Sequence, residues 1–286
     1  MAWLLARSAG ARFLVRLEDL DAARVRPGAA AGQLADLARL GLDWDGEVVV
    51  QSEHTGLYDE ALAGLAGQGL VYECFCTRAE IREAASAPHG PPGAYPGTCA
   101  RLTAAERAQR LRAGRPPALR LRAGDVRIAF EDLVQGPGDG RVDDFVLRRN
   151  DGVAAYNLAV VVDDCAQGVG EIVRGCDLLD STPRQLLLAR LLGRHEPAHA
   201  HVGLARGPDG ARLAKRHGAV TLAALQAAGV GPDAVLDGFA QALGLGESGE
   251  RTGAPALVAR VERGRLLAAA RADWVPEAVS AGRSPG

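Results

Sequence analysis

The alternation of apolar runs with helical repeats is the feature that most constrains the fold of this chain. Residues 11–21 (ARFLVRLEDLD) carry an apolar run and then become charged, as a buried strand does where it leaves the edge of a sheet. A leucine repeat at helical spacing follows up to Gly41, and a second helix is expected to end near Gly69. Residues 70–76 (LVYECFC) then predict another strand. Strands that alternate with helices in this way predict an α/β fold with a parallel sheet.

The middle of the chain predicts a different kind of structure. The capping box Thr103-x-x-Glu106 predicts the start of a short helix that ends at Gly114. Residues 117–149 have the pattern of short strands, with a glycine-rich turn at 136–140 (GPGDG). We therefore expect an insertion of antiparallel character within the α/β pattern.

The α/β pattern resumes after this insertion. Residues 156–164 (YNLAVVVDD) predict a strand, and residues 181–193 (STPRQLLLARLLG) predict a capped helix. Beyond residue 219 only helical signals remain, and they thin into a Gly, Ser and Pro tail that we expect to be disordered. The predicted parts are a core of residues 1–72 and 143–218, an insertion of residues 73–142, and a short helical end of residues 219–286.

Three of the five cysteines predict a zinc site. Cys74 and Cys76 lie two apart on a predicted strand, so both sulfurs leave the same face, and Cys99 returns after a loop rich in Pro and Gly. The loop offers His89 or Tyr95 as the fourth ligand, and ligand chemistry alone favours His89 because imidazole binds zinc more often than phenolate does. A set of reduced, packed cysteines is the alternative.

Three polar side chains stand near the ends of predicted strands. Glu18 lies where the first strand ends, at the edge of the sheet where α/β proteins usually bind ligands, although a solvated turn is the alternative. Tyr156 opens the apolar segment of residues 156–164. Arg174, beside Gly175, can hold a carboxylate or phosphate in bidentate fashion, or form an ordinary surface ion pair.

Lys215 is the only lysine in the chain, within residues 207–218 (GPDGARLAKRHG). Glycine-containing turns precede a run of basic residues there, which predicts a mobile loop that closes over a polyphosphate. An ammonium is a compact charge on a flexible stem, whereas guanidinium is a rigid planar fork, so lysine can be retained where arginine does not fit. Chance survival of one lysine is the alternative.

The composition limits the location and the partners of the protein. No apolar run approaches the ~20 residues that a membrane span needs, and residues 1–10 lack the marks of a secretory leader, so we expect a cytoplasmic protein with no membrane partner. The net charge of −2 gives no global field that attracts nucleic acid. A local group of arginines could bind polyanions or simply form solvated faces: Arg110, Arg112, Arg115, Arg120, Arg122, Arg148 and Arg149.

Taken together, these stretches resemble the Rossmann-like catalytic domain of class I aminoacyl-tRNA synthetases of the glutamyl type, from about residue 2 to about residue 245. More specifically, they resemble the short glutamyl-queuosine tRNA(Asp) branch, because the helical end is too short for an anticodon-binding domain. The resemblance rests on RLEDLD (16–21), LGLDWDG (40–46), QSEHTGLY (51–58), YECFCTR (72–78), GAYPGTC (93–99), DDFVLRRNDGVAAYNLAVVVDD (143–164), VRGCDLLDSTPRQ (173–185) and DGARLAKR (209–216).

The resemblance implies a role for each candidate residue. Glu18 is expected to bind the ammonium of glutamate, and Tyr156 and Arg174 are expected to make its other contacts. Lys215 matches the second lysine of the KMSKS-type loop and is expected to be the catalytic, ATP-binding lysine. The implied zinc ligands include the tyrosine in place of His89: Cys74, Cys76, Tyr95 and Cys99.

The resemblance also implies the reaction. Glutamate and ATP, with Mg²⁺, form glutamyl-adenylate, and the glutamyl group then moves to queuosine at the wobble position of tRNA(Asp). The expected partners are therefore ATP, L-glutamate and the anticodon arm of that tRNA, bound by a monomer. Two alternatives stay open, which are a fragment of a glutamyl-tRNA synthetase and a non-catalytic remnant that binds tRNA or zinc.

The start of the chain departs from the family pattern. Family members begin with a strand, a Pro-x-Pro-Thr-Gly turn and a HIGH-type motif, and residues 1–10 (MAWLLARSAG) resemble only the last turns of the helix that follows. The fold is therefore expected to be missing its first strand and one side of the ATP-phosphate site. We expect the 286-residue form to show little glutamate-dependent pyrophosphate exchange and a product extended upstream to be the active enzyme.

Overall fold

The computed structural model describes residues 1–77, 79–81, 95–207, 210, 221–247, 250 and 252–275, in which helices and strands alternate. The helices of this part are α1 (Ala2–Ser8), α2 (Ala29–Arg39), α3 (Thr55–Gly67), α4 (Ala104–Arg112), α5 (Tyr156–Ala166), α6 (Thr182–Leu191), α7 (Leu222–Ala227), α8 (Pro232–Ala242), α9 (Ala254–Val258) and α10 (Arg263–Ala269). The strands are β1 (Arg16–Leu17), β2 (Val49–Val50), β3 (Val71–Cys74), β4 (Ala118–Leu121), β5 (Val126–Asp132), β6 (Gly136–Val142), β7 (Val146–Arg148), β8 (Glu171–Gly175) and β9 (Ala198–Val202).

These strands form three sheets, and only two of them contain parallel pairs. β1 pairs with β2 in parallel, and the four-stranded sheet has the order β6-β5-β9-β8, with β9 parallel to both β5 and β8. The remaining sheet, β3-β4-β7, is antiparallel. The α/β class is therefore confirmed, whereas the expectation that residues 70–76 join a parallel sheet is wrong, because β3 pairs antiparallel with β4.

The strand predicted for residues 156–164 is also wrong, since these residues form helix α5. Every residue from Leu158 to Val161 is buried, and Asp163 and Asp164 are buried as well. A helix that is enclosed all round carries an uninterrupted apolar run, which periodicity cannot tell from a buried strand. The helix predicted at 181–193 is confirmed as α6 with Pro183 in its first turn, but the predicted cap is wrong, because the side chain of Ser181 makes no capping hydrogen bond. The capping box at Thr103 opens α4 as expected.

The glycine-rich turn predicted at residues 136–140 is wrong too, because these residues lie within β6. A Cβ atom on Gly138 would lie 2.8 Å from Cζ of Phe130, and one on Gly140 would lie 2.6 Å from Cγ of Pro183. The glycines thus allow β6 to approach β5 and α6 closely, which is the usual reason for glycine inside a strand. The insertion is antiparallel as predicted, since β5 and β6 form a hairpin.

A second core joins the first helix to the helical end of the chain. Trp3, Leu4 and Leu5 of α1 are buried against a set of apolar side chains from α8, α9 and α10: Leu236, Ala240, Ala254, Leu257 and Leu266. The end of β9 takes part as well, because Gly203 donates its N–H to the carbonyl of Ala270 at 2.8 Å. The helical character predicted beyond residue 219 is confirmed for the described residues of that part.

None of the helices in the described ranges is long and apolar enough to cross a membrane.

Candidate active site

A cavity of about 720 Å³ opens beside the end of β1 and the start of α5. Its volume is typical of ligand pockets. Glu18 follows β1 and Tyr156 is the first residue of α5, and both side chains line this cavity and stay partly exposed. Segments that are far apart in the sequence thus contribute the predicted acid and the predicted phenol to one wall.

Arg174 joins these two residues from β8. Its guanidinium donates a hydrogen bond to the hydroxyl oxygen of Tyr156. Burial raises the pKa of Tyr156, and the charge of Glu18 adds to this effect, while Arg174 opposes it. Burial lowers the pKa of Arg174. The structure therefore places Tyr156 near both Glu18 and Arg174, and the roles of these three residues toward glutamate stay predictions.

Arg16 holds Glu18 from the side of the sheet. Its Nη2 lies 3.3 Å from Oε1 of Glu18, and its Nη1 donates to Oδ1 of Asp164 at 2.7 Å. Burial raises the pKa of Asp164, although Arg16 opposes this effect. One guanidinium thus connects the end of β1 to the last turns of α5 and orients the carboxylate that faces the cavity.

The neighbouring Asp163 anchors the segment before α3. Its carboxylate accepts hydrogen bonds from Nε2 of Gln51 and the hydroxyl of Tyr58, both at 2.8 Å, and lies 2.9 Å from Nδ1 of His54. Its side chain is fully buried. Residues 51–58 form one of the motifs on which the family resemblance rests. The sequence does not reveal that three of these residues contact the carboxylate of Asp163.

The three predicted cysteines come together at the end of β3. All three sulfurs lie within 4.8 Å of one another, and Sγ of Cys76 is 3.4 Å from Sγ of Cys99. The hydroxyl of Tyr95 lies 3.4 Å from Sγ of Cys74 and 3.7 Å from Sγ of Cys76. Three thiols and a phenol within this range form a donor set that suits a tetrahedral zinc ion. His89 lies outside the described residues, so its candidacy as a ligand has no structural test.

The pKa values of two thiols in this cluster, Cys76 and Cys99, are shifted in opposite directions. Burial raises the pKa of the Cys76 thiol to about 12. Burial would also raise the pKa of Cys99, but the N–H of Phe75 and the neighbouring Tyr95 and Cys76 donate to its sulfur and lower the pKa overall. Cys99 is therefore the sulfur that the protein itself stabilises as a thiolate.

The thiol cluster shares the cavity with the predicted glutamate contacts. Cys74 and Cys76 line the same cavity as Glu18 and Tyr156. The arginine group noted in the sequence divides here, because Arg115, Arg120 and Arg149 line the cavity, whereas Arg122 and Arg148 are engaged elsewhere. Arg120 packs 3.8 Å from the ring centre of Tyr95, Arg122 packs over the ring of Tyr72, and Arg148 pairs with Asp59.

Lys215 lies outside the described residues, so its role stays a prediction. Sequence reasoning also missed Thr182 and His201, which contact the guanidinium of Arg174, and Asp132, which contacts His201. A pair of histidines two apart (His199 and His201) is a visible signal in the sequence. Their burial and their partners from β5 and β8 cannot be read from it.

Comparisons with known proteins show the family of this chain. The family model for the catalytic domain of class I tRNA synthetases (E and Q) matches residues 1–253. The Glutamyl-Q tRNA(Asp) synthetase of Nocardia farcinica is 60% identical over 245 residues, which cover 86% of this chain and 78% of that protein. The Glutamyl-Q tRNA(Asp) synthetase of Symbiobacterium thermophilum is 53% identical over 259 residues, or 86% of this chain and 80% of that protein.

A solved structure shows the same fold. The crystal structure of a glutamate tRNA ligase from Elizabethkingia meningosepticum superposes with a TM-score of 0.80 and 24% identity, over 97% of this chain. The chain spans 63% of the length of that ligase. Since the family model covers most of the sequence and the relatives are more than half identical, the chain belongs to the class I tRNA synthetases of the glutamate and glutamine group.

Proposed function

We propose that this protein is a ligase that activates glutamate with ATP and transfers it to queuosine at the wobble position of tRNA(Asp). The observation that supports the proposal is the contact of Arg174 with Tyr156, which lines the same cavity as Glu18. The names of the two relatives described above supply the acceptor.

The chemistry of the three residues suits an amino-acid substrate. The carboxylate of Glu18 is partly exposed and faces the cavity, so it can pair with the ammonium of glutamate. Arg174 carries a half-buried guanidinium, and a guanidinium binds carboxylates strongly because its N–H groups form a fixed fork. Tyr156 lies between the two charges and can donate its hydroxyl hydrogen to a carboxylate oxygen.

ATP, bound with Mg²⁺, is the second substrate of the first step in the proposed reaction. The α-phosphate is attacked by a glutamate carboxylate, so that an acyl-phosphate bond forms and pyrophosphate leaves. We propose that Lys215 binds the phosphates of ATP and stabilises the charge that develops there. The support for Lys215 is the sequence motif alone, because the residue lies outside the described part.

Zinc would be held by Cys74, Cys76, Tyr95 and Cys99. The support is the spacing of the three sulfurs and of the Tyr95 hydroxyl. A metal there would supply a structural crosslink, and no chemical step is assigned to it. We propose that this region, residues 73–142, forms an insertion between the two halves of the core, although its strands β5 and β6 share a sheet with β8 and β9.

The proposed contact with tRNA is electrostatic. Arg24, Arg115 and Arg149 line the cavity and can contact the phosphates that flank a nucleotide inserted into it. The anticodon arm of tRNA(Asp) is the proposed partner, and a cytoplasmic monomer remains our prediction for the protein.

The test has two stages. Glutamate-dependent exchange of pyrophosphate into ATP is measured first, on the 286-residue chain and on an amino-terminally extended form, with aspartate and glutamine as control amino acids. Radiolabelled glutamate is then offered with tRNA(Asp) that contains queuosine, tRNA(Asp) that lacks it, and tRNA(Glu).

The proposal predicts labelling of the queuosine-containing tRNA(Asp) alone. Labelling of tRNA(Glu) would identify a piece of a glutamyl-tRNA synthetase. If neither form catalyses exchange, the protein is a binding remnant and the proposal is wrong.

A further inference from the structure

The guanidinium of Arg174 is held by buried side chains of other elements. Its Nε lies 2.9 Å from Nε2 of His201, and its Nη2 donates to Oγ1 of Thr182 at 3.0 Å. Arg174 and His201 are directly opposite each other in the parallel pairing of β8 with β9. Thr182 is the first residue of α6 and is fully buried. The position of the guanidinium is therefore set by β8, which carries Arg174, and by its contacts with β9 and α6.

The contact with Arg174 determines which nitrogen of His201 carries the proton. A guanidinium N–H can only donate, so Nε2 of His201 must accept and cannot carry a hydrogen. The hydroxyl of Thr182, 3.4 Å from the same Nε2, is a second possible donor to it. The ring proton must then be on Nδ1, which lies 2.6 Å from Oδ2 of Asp132.

Asp132 is itself fixed in orientation. Its Oδ1 accepts the backbone N–H groups of Val134, Gln135 and His201 at 3.0, 2.8 and 3.1 Å, which leaves Oδ2 for the imidazole. The side chains of Asp132 and His201 are both 0% exposed, so water cannot replace either partner. Burial alone would raise the pKa of Asp132, but these hydrogen bonds lower it overall, which keeps the carboxylate ionised.

We propose that Asp132 and His201 are positioning residues that keep the guanidinium of Arg174 in place by fixing His201 in its neutral Nδ1–H tautomer. This inference rests on the proposed function, in which Arg174 contacts glutamate. We call these three residues the relay. It runs from Asp132 of β5 through His201 of β9 to Arg174 of β8, and only Arg174 faces the substrate.

The relay has a defined response to pH. The charged and titratable groups around His201 are Asp132 of β5, Arg174 of β8, His199 of β9 and Asp177 of the turn after β8. Burial lowers the pKa of His201, so the ring is neutral near pH 7. Protonation at Nε2 would replace an accepted hydrogen bond by contact between two cations, so glutamate binding is expected to weaken as pH falls.

The first experiment uses nuclear magnetic resonance of the histidine rings in the ¹⁵N-labelled protein at pH 7.5. We expect the His201 signals of the Nδ1–H tautomer and a slowly exchanging Nε–H of Arg174. In Asp132→Asn, the amide oxygen is retained by the three backbone N–H groups, so the NH₂ group faces Nδ1 and forces the Nε2–H tautomer. An Nε2–H tautomer or an imidazolium in the unchanged protein would overturn the proposal.

The second experiment measures L-glutamate binding by titration calorimetry. Asp132→Asn is expected to weaken glutamate binding at least ~10-fold, with ATP binding unchanged, because losing a hydrogen-bonded positioning partner typically costs this much. His199→Gln is the matched control, since His199 is also buried in β9 but its Nε2 has no hydrogen-bond partner among the described residues. It should lose stability while its glutamate affinity stays within about twofold of the parent.

The two experiments separate the inference from the proposed function. Unchanged glutamate affinity in Asp132→Asn would refute the relay, and so would an equal loss of affinity in His199→Gln. If the parent protein binds no glutamate, the proposed function fails, and the tautomer and the Nε–H exchange rate still decide whether the relay holds Arg174.

Discussion

Glu18 is the residue that we propose binds the ammonium of the substrate. Its carboxylate is oriented by Arg16 and faces the cavity that Tyr156 also lines. A carboxylate that pairs with an ammonium at a partly enclosed site contributes a charge-assisted hydrogen bond, which is stronger than a neutral one. This geometry supports the proposal that Glu18 selects a substrate with a positively charged amino group.

Glu18→Gln tests this role while it preserves the shape of the side chain. We expect the KM for glutamate in pyrophosphate exchange to rise by ~10 to 100-fold, since hydrogen bonds to charged groups are worth about 1.5–3 kcal/mol. The KM for ATP should stay unchanged. Glu47→Gln, an exposed acid outside the cavity, is the control. A normal glutamate KM in Glu18→Gln would contradict the assignment.

The buried histidines predict a pH dependence of stability. Burial lowers the pKa of His199 to about 4, and the charges of Arg174 and His201 act in the same direction. The unfolded chain binds protons below its ordinary histidine pKa of about 6.5, whereas the folded protein does not bind them until lower pH. The free energy of unfolding should therefore fall between pH 6.5 and about 4, by up to about 1.4 kcal/mol per pH unit for each such histidine.

Urea denaturation across this pH range checks the expectation. His199→Gln should reduce the slope of stability against pH, whereas His195→Gln, at an exposed position, should leave it unchanged. Equal slopes for the parent and His199→Gln would show that His199 does not titrate as its burial implies.

For single residues, the sequence predicts the proposed substrate contacts, but it does not predict the residues that hold those contacts in place. Glu18, Tyr156 and Arg174 are identified from motifs, because a motif records which residue types stand at which spacing. Asp132 and His201 are 69 positions apart and meet only through the pairing of β5 with β9. No local pattern carries that information.

Among the elements, β3 and the segment around Cys99 are the pair that a metal would join. Cys74 ends β3, and Cys99 lies in the short 3₁₀ turn Thr98–Arg101. The two are connected in the structure by the side-chain contacts of Tyr95 and Cys76. A bound zinc ion would replace these weak contacts with coordinate bonds and would make the antiparallel sheet more stable.

Cys76→Ser tests the zinc site. Elemental analysis of the unchanged protein, produced with zinc in the medium, should give about one zinc ion per chain. The serine variant should retain less than half of it and should unfold at a lower temperature, and a strong chelator should lower the melting temperature of the parent in the same direction. Cys165→Ser, in α5 and outside the cluster, should bind zinc normally. A parent protein that contains no zinc would refute the site.

Helix and strand identity is predictable from the sequence where one face of an element is polar. The capping box of α4 gives its start because the side chain of Thr103 accepts from Glu106 N–H, as the pattern requires. α5 is different, because Leu158 to Val161 and then Asp163 and Asp164 are all buried, which removes the periodic signal. β6 is missed for another reason, since Gly138 and Gly140 serve packing against Phe130 and Pro183 and not a turn.

For the whole molecule, the helical end is part of the same packed body as the first helix. Trp3 and Leu5 share a core with Leu236 and Leu266, and Nε1 of Trp3 also donates to Asp43 at 2.8 Å. The closest approach is at Gly203, where a Cβ atom would lie 2.0 Å from the carbonyl oxygen of Ala272. Because the obstacle is backbone, it cannot move aside as a flexible side chain can.

Gly203→Ala should therefore destabilise the protein through the helical end. We expect a loss of at least ~2 kcal/mol in the free energy of unfolding, at the upper part of the range for overpacking. Limited proteolysis should cut between residues 263 and 275 sooner than in the parent. Gly64→Ala is the control, because it lies within α3 with nothing within 4 Å of the added Cβ, and it should stabilise by about 0.5–1 kcal/mol. Equal stability of Gly203→Ala and the parent would contradict the close approach.

The shared core of α1 with α9 and α10 also has a consequence for the order of events on the ribosome. α1 emerges first, but the partners that cover Trp3 and Leu5 lie some 250 residues later in the chain. At a synthesis rate of about 5–20 residues per second, the apolar face of α1 stays uncovered for at least ~10 seconds. Nascent chains that stall before residue 254 should therefore be preferred clients of holdase chaperones, and completed chains should be released from them.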